Sequence, residues 1–298
     1  MKYIGYLNIL ILLLGCNKIT SLFGPKIGGE DNPISIFFPR PISGDMAPDF
    51  SPLVKYLEQQ TGLYFKITIP KSMTGMDDGF YNKIIDIALV PPLKYLDLSK
   101  DYGVTAKLKI LRYNKDYYQS MFIINKEFED EIKDLSDLKG KTIAFTHHDS
   151  ASGYIIPHEI LYIRKIVPKD ILFAFSHKNV VNLVYKKEVE AGVTFYQDPG
   201  PGGELRDGRF LIKDKYPDVA DQIKVLYVSG KIPNDPLVFR KEFPEKIGEE
   251  FLSTFSSFLE TPEGKNIFST AYNVEGFLPT DDIEYDDLRM LMKEYFKD

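Results

Sequence analysis

The chain has 298 residues, of which 44% are hydrophobic and 27% are charged, the ordinary composition of a globular protein. Its formal net charge of −6 argues against general nucleic-acid binding, because nucleic-acid-binding proteins usually carry a basic stripe. A small anionic ligand stays possible, since local donors in a cleft outweigh distant charges. The single cysteine excludes an internal disulfide, so the fold must depend on its hydrophobic core.

The first fifteen residues have the layout of a secretory signal peptide. A lysine is followed by a mostly apolar run over 4–14 and then by Gly15 and Cys16. The run is too short for a membrane-spanning helix, which needs about 20 residues. Leu-Leu-Gly-Cys at 13–16 resembles the lipobox, in which the cysteine is acylated and becomes the new N-terminus. The alternative is a buried free cysteine at the end of a hydrophobic helix.

We therefore predict a signal peptide over 1–15 and a flexible tether over 16–32, which is rich in Gly, Pro and polar residues. Acylation of Cys16 would anchor the protein in the cell envelope, exposed to the periplasm or to the cell exterior. The lipid would be its attachment to the membrane.

Strand-like and helix-like stretches alternate along the rest of the chain. In chain order, strands are predicted at 34–38, 64–69, 84–90, 120–125, 142–146, 171–175, 191–195 and 223–228, and helices at 49–61, 154–167, 179–187 and 246–259. The near-continuous apolar run at 84–90 is typical of a strand buried on both faces. This alternation predicts an α/β fold with mostly parallel sheets.

One strand–turn–helix segment carries candidate ligand-binding groups. The strand at 142–146 leads into a turn at 147–149, and Ser150, Ser152 and Gly153 then begin a helix. The first N–H groups of a helix have no carbonyl partner within it and carry partial positive charge, so they can bind an anion. The serine hydroxyl groups add hydrogen-bond donors, and the glycine permits close approach of the backbone to a bound group. A plain N-cap explains the serines equally well, because serine is a favoured capping residue.

The residues around this segment resemble those of the phosphate/phosphite/phosphonate-binding proteins of ABC transporters. The shared signature is Asp-Leu-Lys-Gly-Lys at 137–141, followed by Ser-x-Ser-Gly-x-x-x-Pro at 150–157. Other blocks match in the same order, at 52–62, 86–95, 117–126, 176–192 and 232–236. The resemblance covers about residues 34–275, and its most specific parts are Ser-x-Ser-Gly and Pro-Asn-Asp-Pro.

The resemblance implies a two-lobed periplasmic-binding fold of type II. Each lobe is expected to be a mostly parallel sheet flanked by helices, and two crossover segments would join the lobes. The expected boundaries are 33–117 with 230–298 for lobe 1, and 118–229 for lobe 2. We expect the lobes to close on the ligand by a hinge motion near Gln119 and Ser229.

The resemblance also implies a set of ligand-binding residues, which are Ser150, Ala151, Ser152, Gly153, Tyr118, His177, Asp235 and Tyr95. The serines and the amides of 151–153 would hold the oxyanion. Tyr118 would donate its hydroxyl, and His177 would reach the same oxygens as a cationic or a neutral donor. Tyr95 would line the cleft or pack under it.

Two departures from the family pattern concern an amine-bearing ligand. The family member that takes an aminoalkyl phosphonate has an acidic residue where this chain has Gln197, and the expected tyrosine falls near Ser72. Asp235 alone would be left to pair with an ammonium group. Because a buried ammonium without an adequate partner is costly, we expect phosphate, phosphite or a short alkylphosphonate to bind more tightly than 2-aminoethylphosphonate.

The sequence thus predicts a monomeric, lipid-anchored receptor that passes a small phosphorus oxyanion to an ABC permease, without a cofactor, a metal or catalysis. A sensory subunit with the same cleft is one alternative. Another is a hydrolase with Ser150 or Ser152 as the nucleophile, which would need a histidine base within hydrogen-bond reach and an orienting acid such as Asp149. A metal site at 147–149 is disfavoured, because adjacent histidines on a turn rarely face one ion.

Overall fold

The structure is a computed structural model that describes residues 26–41, 47–70 and 74–295. The predicted signal peptide, Cys16 and Ser72 lie outside the described residues. The strands are β1 (Ile34–Phe37), β2 (Phe65–Thr68), β3 (Ile87–Leu89), β4 (Thr105–Leu111), β5 (Tyr117–Asn125), β6 (Thr142–Phe145), β7 (Asp170–Phe173), β8 (Ala191–Tyr196), β9 (Ile223–Val228), β10 (Ile232–Pro233), β11 (Pro236–Phe239) and β12 (Gly276–Pro279).

The helices are α1 (Ser51–Thr61), α2 (Met76–Tyr81), α3 (Pro92–Tyr102), α4 (Ile156–Ile163), α5 (His177–Tyr185), α6 (Val219–Gln222), α7 (Glu245–Leu259), α8 (Pro262–Tyr272) and α9 (Asp286–Tyr295). Local sequence explains several of their ends. Helix α1 has a proline in its first turn and ends at Gly62, which adopts φ 67° and donates its N–H to the Glu58 carbonyl. Glycine is suited to this left-handed position because it has no Cβ.

The strands form two sheets with helices packed on them. The first sheet has the strand order β12-β4-β11-β3-β1-β2, and the second has the order β10-β5-β8-β6-β7 with β9 also paired to β5. Alternate residues of the central strands enter different core clusters. In β3, for example, Ile87 and Leu89 pack with α1, α7 and α8, whereas Ala88 and Val90 pack with α3 and α9. Each sheet therefore has a hydrophobic layer on both faces.

Two crossover segments join the sheets and run beside each other. Strand β10 pairs with β5 in antiparallel register, so that Ile232 lies opposite Tyr118. Ser229 donates its N–H to the Ser120 carbonyl at 2.8 Å, and the Gln119 side chain donates to the Ser229 carbonyl at 2.5 Å. The Asn234 side-chain amide donates hydrogen bonds to the carbonyls of Ile110, in β4, and Lys115, in the other crossover. The expected hinge residues Gln119 and Ser229 are thus direct neighbours.

The sequence predicted mostly parallel sheets, and the structure has mixed ones. Strand β1 is parallel to β2 and β3, and β6 is parallel to β7 and β8. Strand β11 is antiparallel to β3 and β4, β12 is antiparallel to β4, and β5 is antiparallel to β8, β9 and β10. Among the described strands, every antiparallel pair except β12 with β4 involves β5 or β11, the strands that bring the chain directly from one sheet into the other.

Candidate functional site

A wide helical turn, Ala151–Ile155, connects the end of β6 to α4 and has π-helical hydrogen bonding. The Ser150 carbonyl accepts hydrogen bonds from the N–H groups of both Tyr154 and Ile155, at 3.0 and 2.9 Å. The Ser150 hydroxyl accepts the Gly153 N–H at 3.1 Å and so caps the turn, while its own hydrogen stays available for donation. The sequence predicted one helix over 154–167, whereas the structure has this turn followed by the shorter α4. Single π-helical turns are frequent at functional sites.

Gly153 lies against Thr146, the residue that follows β6. A Cβ atom at position 153 would be 1.9 Å from the Thr146 hydroxyl oxygen, so no larger side chain fits there without a shift of this threonine. The Thr146 N–H donates to the Gly153 carbonyl at 3.0 Å, which fixes the two residues to each other. The glycine therefore lets the start of the turn pack directly on the end of β6.

Ser152 is buried, and its carbonyl accepts a hydrogen bond from the Ser120 hydroxyl at 2.6 Å. This bond joins the turn to β5 near the crossover. Among the described residues, the Ser152 hydroxyl has no hydrogen-bond partner and is free to donate to a ligand. Ser120 is a site residue that the sequence did not indicate, because its role depends on a contact with a residue 32 positions away.

Tyr118 lies two residues before Ser120 on β5, and alternate residues of a strand share a face. Its half-buried ring packs on the hydrophobic cluster to which Ala151 and Ile155 belong. Burial, with a contribution from the nearby Asp235 carboxylate, raises the pKa of Tyr118 well above its usual value. The phenol therefore stays protonated at neutral pH and can act as a donor.

His177 is the first residue of α5, whose N-terminus is capped by the Ser176 hydroxyl. Its Nδ1 is 2.9 Å from the Thr194 hydroxyl oxygen on β8, and the Phe195 ring packs edge-on against the imidazole at 5.1 Å. Burial lowers the pKa of His177 to about 4, so the ring is neutral at pH 7. Of the two forms considered from sequence, burial favours the neutral one.

Asp235 directly precedes β11 and faces Arg112, which follows β4. The Arg112 guanidinium is 3.5 Å from the Asp235 carboxylate and also donates to the Tyr272 carbonyl. Burial raises the pKa of Asp235, while the Arg112 charge acts in the opposite direction. The sequence did not indicate Arg112, because nothing in a local pattern shows which carboxylate an arginine will meet.

Tyr95 is fully buried and packs under the cleft, the second of the two positions that the sequence left open. Its hydroxyl donates to Asp282 at 2.5 Å, and its ring packs edge-on against Tyr285 at 4.8 Å. The hydroxyl is therefore engaged in the core and does not reach a solvent-exposed cleft.

The turn at 147–149 has its own internal contact. His147 Nδ1 is 2.6 Å from an Asp149 carboxylate oxygen, and both side chains are exposed. Within residues 26–41, 47–70 and 74–295, no three His, Cys, Asp or Glu side chains are placed to hold one metal ion. In the same part of the chain, neither Ser150 nor Ser152 has a histidine as hydrogen-bond partner.

No helix of the described residues is long and apolar enough to cross a bilayer.

Two sheets with helices packed on them, joined by paired crossovers, define the two-lobed class of periplasmic binding proteins. Residues 36–285 match the family model described as "ABC transporter, phosphonate, periplasmic substrate-binding protein". Because the match covers most of the sequence, the chain belongs to this family, which is a family of substrate-binding transport proteins.

Comparison with individual proteins agrees with this assignment. The chain is 23% identical over 228 residues to the phosphonates-binding periplasmic protein of Escherichia coli (strain K12), covering 75% of this chain and 65% of that protein's length. Similar solved structures include XAC2383 from Xanthomonas citri bound to ATP, with a TM-score of 0.68, 17% identity and coverage of 87% and 96%. Another is PhnD1 from Prochlorococcus marinus in complex with methylphosphonate, with a TM-score of 0.61, 16% identity and coverage of 92% and 100%. These structural likenesses establish the fold.

Proposed function

We propose that this chain acts as a monomeric receptor that captures a small phosphorus oxyanion, such as phosphonate, phosphite or phosphate, and delivers it to an ABC permease. The observation that carries the proposal is the turn at 150–153, where serine hydroxyls and helix-start N–H groups lie together beside β5. The hydroxyl of Tyr118 and the imidazole of His177 add neutral donors. Neutral dipoles of this kind can stabilise a desolvated anion without a counter-charge.

Binding rather than catalysis accounts best for these groups. A serine nucleophile requires a general base within hydrogen-bond reach. The Ser150 hydroxyl instead accepts the Gly153 N–H, and His177 is engaged with Thr194. Membership in a family of transport receptors supports the same conclusion.

The proposed lobes are 33–117 with 230–298, and 118–229, closing by a hinge at the paired crossovers. The direct contacts of Gln119 and Ser120 with Ser229 support a hinge at this level, because backbone rotations there would tilt one sheet against the other. An ion pair of Lys115 with Asp198 at 3.3 Å joins the first crossover to the second sheet and would be exchanged during opening.

We propose further that the ligand has no amine. The Asp235 carboxylate, which would have to pair with a ligand ammonium, is already compensated by Arg112. Gln197 is buried and supplies no charge. An ammonium brought to this place would have to displace the guanidinium or stay without a partner, and both are costly.

Calorimetric titration of the protein with phosphate, phosphite, methylphosphonate and 2-aminoethylphosphonate tests these proposals. We expect at least one amine-free anion to bind, and to bind more tightly than 2-aminoethylphosphonate. Replacing Arg112 by Gln should shift the preference towards 2-aminoethylphosphonate by about ten-fold, because an uncompensated Asp235 favours a cation. Arg112→Lys is the matched control, since it keeps the positive charge. Absence of binding to all four anions contradicts the receptor proposal.

The envelope location is proposed to depend on acylation of Cys16. A Cys16→Ser variant should lose the lipid and leave the membrane fraction, as followed by fractionation and mass spectrometry. Retention of this variant on membranes after a high-salt wash contradicts the proposed anchor.

A further inference from the structure

Thr194 is a polar residue at the centre of an otherwise apolar strand, β8, and it is completely buried. Its hydroxyl oxygen lies 2.9 Å from Nδ1 of His177. Among the described residues, the Thr194 hydroxyl has no hydrogen-bond partner other than this imidazole nitrogen. A buried hydroxyl group needs an acceptor for its hydrogen, because an unsatisfied donor away from water costs free energy.

That requirement determines the direction of the hydrogen bond. If Nδ1 carried the proton and donated to the threonine, the hydroxyl hydrogen of Thr194 would be left without an acceptor in a fully buried place. If the threonine donates, Nδ1 must be the unprotonated nitrogen of the ring. The neutral imidazole then carries its single proton on Nε2, and the partly exposed ring can present this N–H to a ligand.

The surroundings hold Thr194 in the required orientation. A Cβ atom at Gly208 would be 2.1 Å from the Thr194 hydroxyl oxygen, so only glycine lets this loop close over the threonine. The loop itself is fixed by Asp207, which is almost fully buried and pairs with Arg209 at 2.8 Å. Thr194 thus lies between its own strand, α5 and an anchored loop.

We propose that Thr194 is a positioning residue that selects the Nε2-protonated tautomer of His177 and so makes the imidazole a neutral donor to the bound anion. The role in binding rests on the proposed function, whereas the tautomer does not. In the other tautomer, the Nε2 lone pair would face the anion and repel it. Without this selection, Nε2 could act either as a donor or as an acceptor. With Nδ1 unprotonated, Nε2 carries the proton and acts only as a donor.

Nitrogen-15 NMR of the imidazoles in the ligand-free full chain tests the tautomer at pH 7. The chain has four histidines, and a His177→Gln variant assigns the signal of His177. We expect an unprotonated Nδ1 and a protonated Nε2. A protonated Nδ1, or a doubly protonated ring, overturns the proposal whatever the ligand is.

Thr194→Val should change the tautomer populations of His177 and weaken methylphosphonate binding by about ten-fold, because one hydrogen bond to the anion is lost or reversed. Thr194→Ser, which keeps the hydroxyl, should restore both. Thr142→Val, at the opposite end of the neighbouring strand β6, is the matched control and should change neither.

A double-mutant cycle separates positioning from a purely structural role. If Thr194 acts through the imidazole, Thr194→Val should have no further effect on affinity in a His177→Ala background. An equal loss of affinity in both backgrounds overturns the proposal. If the unaltered chain does not bind methylphosphonate, the proposed ligand class is wrong, while the NMR measurement still decides the tautomer.

Discussion

Two threonines of the second sheet have the same kind of surroundings but different hydrogen bonding. Thr146 follows β6 and Thr194 lies in β8, and both are buried against a glycine, Gly153 or Gly208. The Thr194 hydroxyl is bonded to His177, whereas the Thr146 hydroxyl has no partner in the described part of the chain. The same packing of a threonine on a glycine thus places a hydroxyl against the His177 imidazole in one place and leaves a hydroxyl without a partner among the described residues in the other.

The difference shows which property of each threonine matters. At position 194 the hydroxyl has a chemical role, since it determines which imidazole nitrogen carries the proton. At position 146 the shape of the side chain matters, because the glycine of the binding turn packs on it. Substitutions at Gly153, at the neighbouring serines and at the threonines therefore test whether the two threonines act differently.

The largest effect is expected from Gly153→Ala. The new methyl group would lie 1.9 Å from the Thr146 hydroxyl oxygen and 2.6 Å from its methyl carbon, so the turn must move away from β6. We expect loss of detectable anion binding and a decrease of about 1–3 kcal/mol in the free energy of unfolding, measured by calorimetry and urea unfolding. Gly276→Ala, where a Cβ meets open space, is the control.

A second substitution tests whether the clash with Thr146 causes the loss in the Gly153→Ala variant. Thr146→Ala removes the two threonine atoms nearest to the new methyl group and leaves the Ser150 hydroxyl oxygen at 2.8 Å from it. It should therefore restore part of the binding and stability of the Gly153→Ala chain. Normal binding by the single Gly153→Ala variant would show that the turn does not depend on this contact.

The next largest effect separates the two serines of the turn. Ser152→Ala should weaken anion binding by about 1.5–3 kcal/mol, because its free hydroxyl is available to a charged oxygen, and should leave stability nearly unchanged. Ser150→Ala should also lower the free energy of unfolding by about 1 kcal/mol, because its hydroxyl caps Gly153. Unchanged affinity with a lowered melting temperature for Ser152→Ala contradicts its assignment to the site.

The sequence predicted the family correctly, and the match over 36–285 confirms it. The two-lobed fold and the strand at 223–228 were also predicted correctly. Strands β4, β10, β11 and β12 were missed. Strand β4 contains Lys109, which is buried and pairs with both Asp116, at 2.6 Å, and Glu284, and β11 is four residues long. Hydrophobic periodicity cannot reveal a strand whose polar residue is buried in a distant ion pair, or a strand that forms where the chain crosses back from the other sheet.

The candidate site also combines residues that the sequence predicted with residues that it did not. Family resemblance suggested Ser150, Ser152 and His177, whose roles as ligand-binding residues stay predictions. Thr194 could have been suspected only as a polar residue within an apolar strand. Its partner is 17 residues away, and nothing in the spacing shows that the two side chains meet. Contacts of this kind depend on strand register and on loop closure, which the sequence pattern does not specify.

A smaller effect concerns pH. The pKa of His177 is lowered to about 4 in the folded chain and is about 6.5 when the chain is unfolded. Between these values the unfolded chain binds a proton that the folded chain does not, so folding stability should be complete above about pH 6.5 and decrease as the pH falls towards 4. We expect this loss to be on the order of 1–2 kcal/mol by pH 5.

Urea unfolding at several pH values measures this loss of folding stability. His177→Gln should remove this part of the pH dependence, and the difference between the two chains isolates it from the carboxyl groups that titrate below pH 5. The same slope in both chains would show that His177 is protonated equally in the folded and unfolded states.

The smallest effect, and the most direct test of the comparison, is expected from Thr146→Val. Valine keeps the shape on which Gly153 packs and removes a buried hydroxyl that has no partner among the described residues. We expect the free energy of unfolding to rise by up to about 1 kcal/mol, because an unsatisfied polar group is replaced by an apolar one of the same shape. Anion affinity should stay the same, since the hydroxyl oxygen is not accessible. Thr194→Val should instead lower stability, because it deprives His177 of its partner. If both substitutions lower stability equally, then the Thr146 hydroxyl also has a partner in solution and the two threonines act alike.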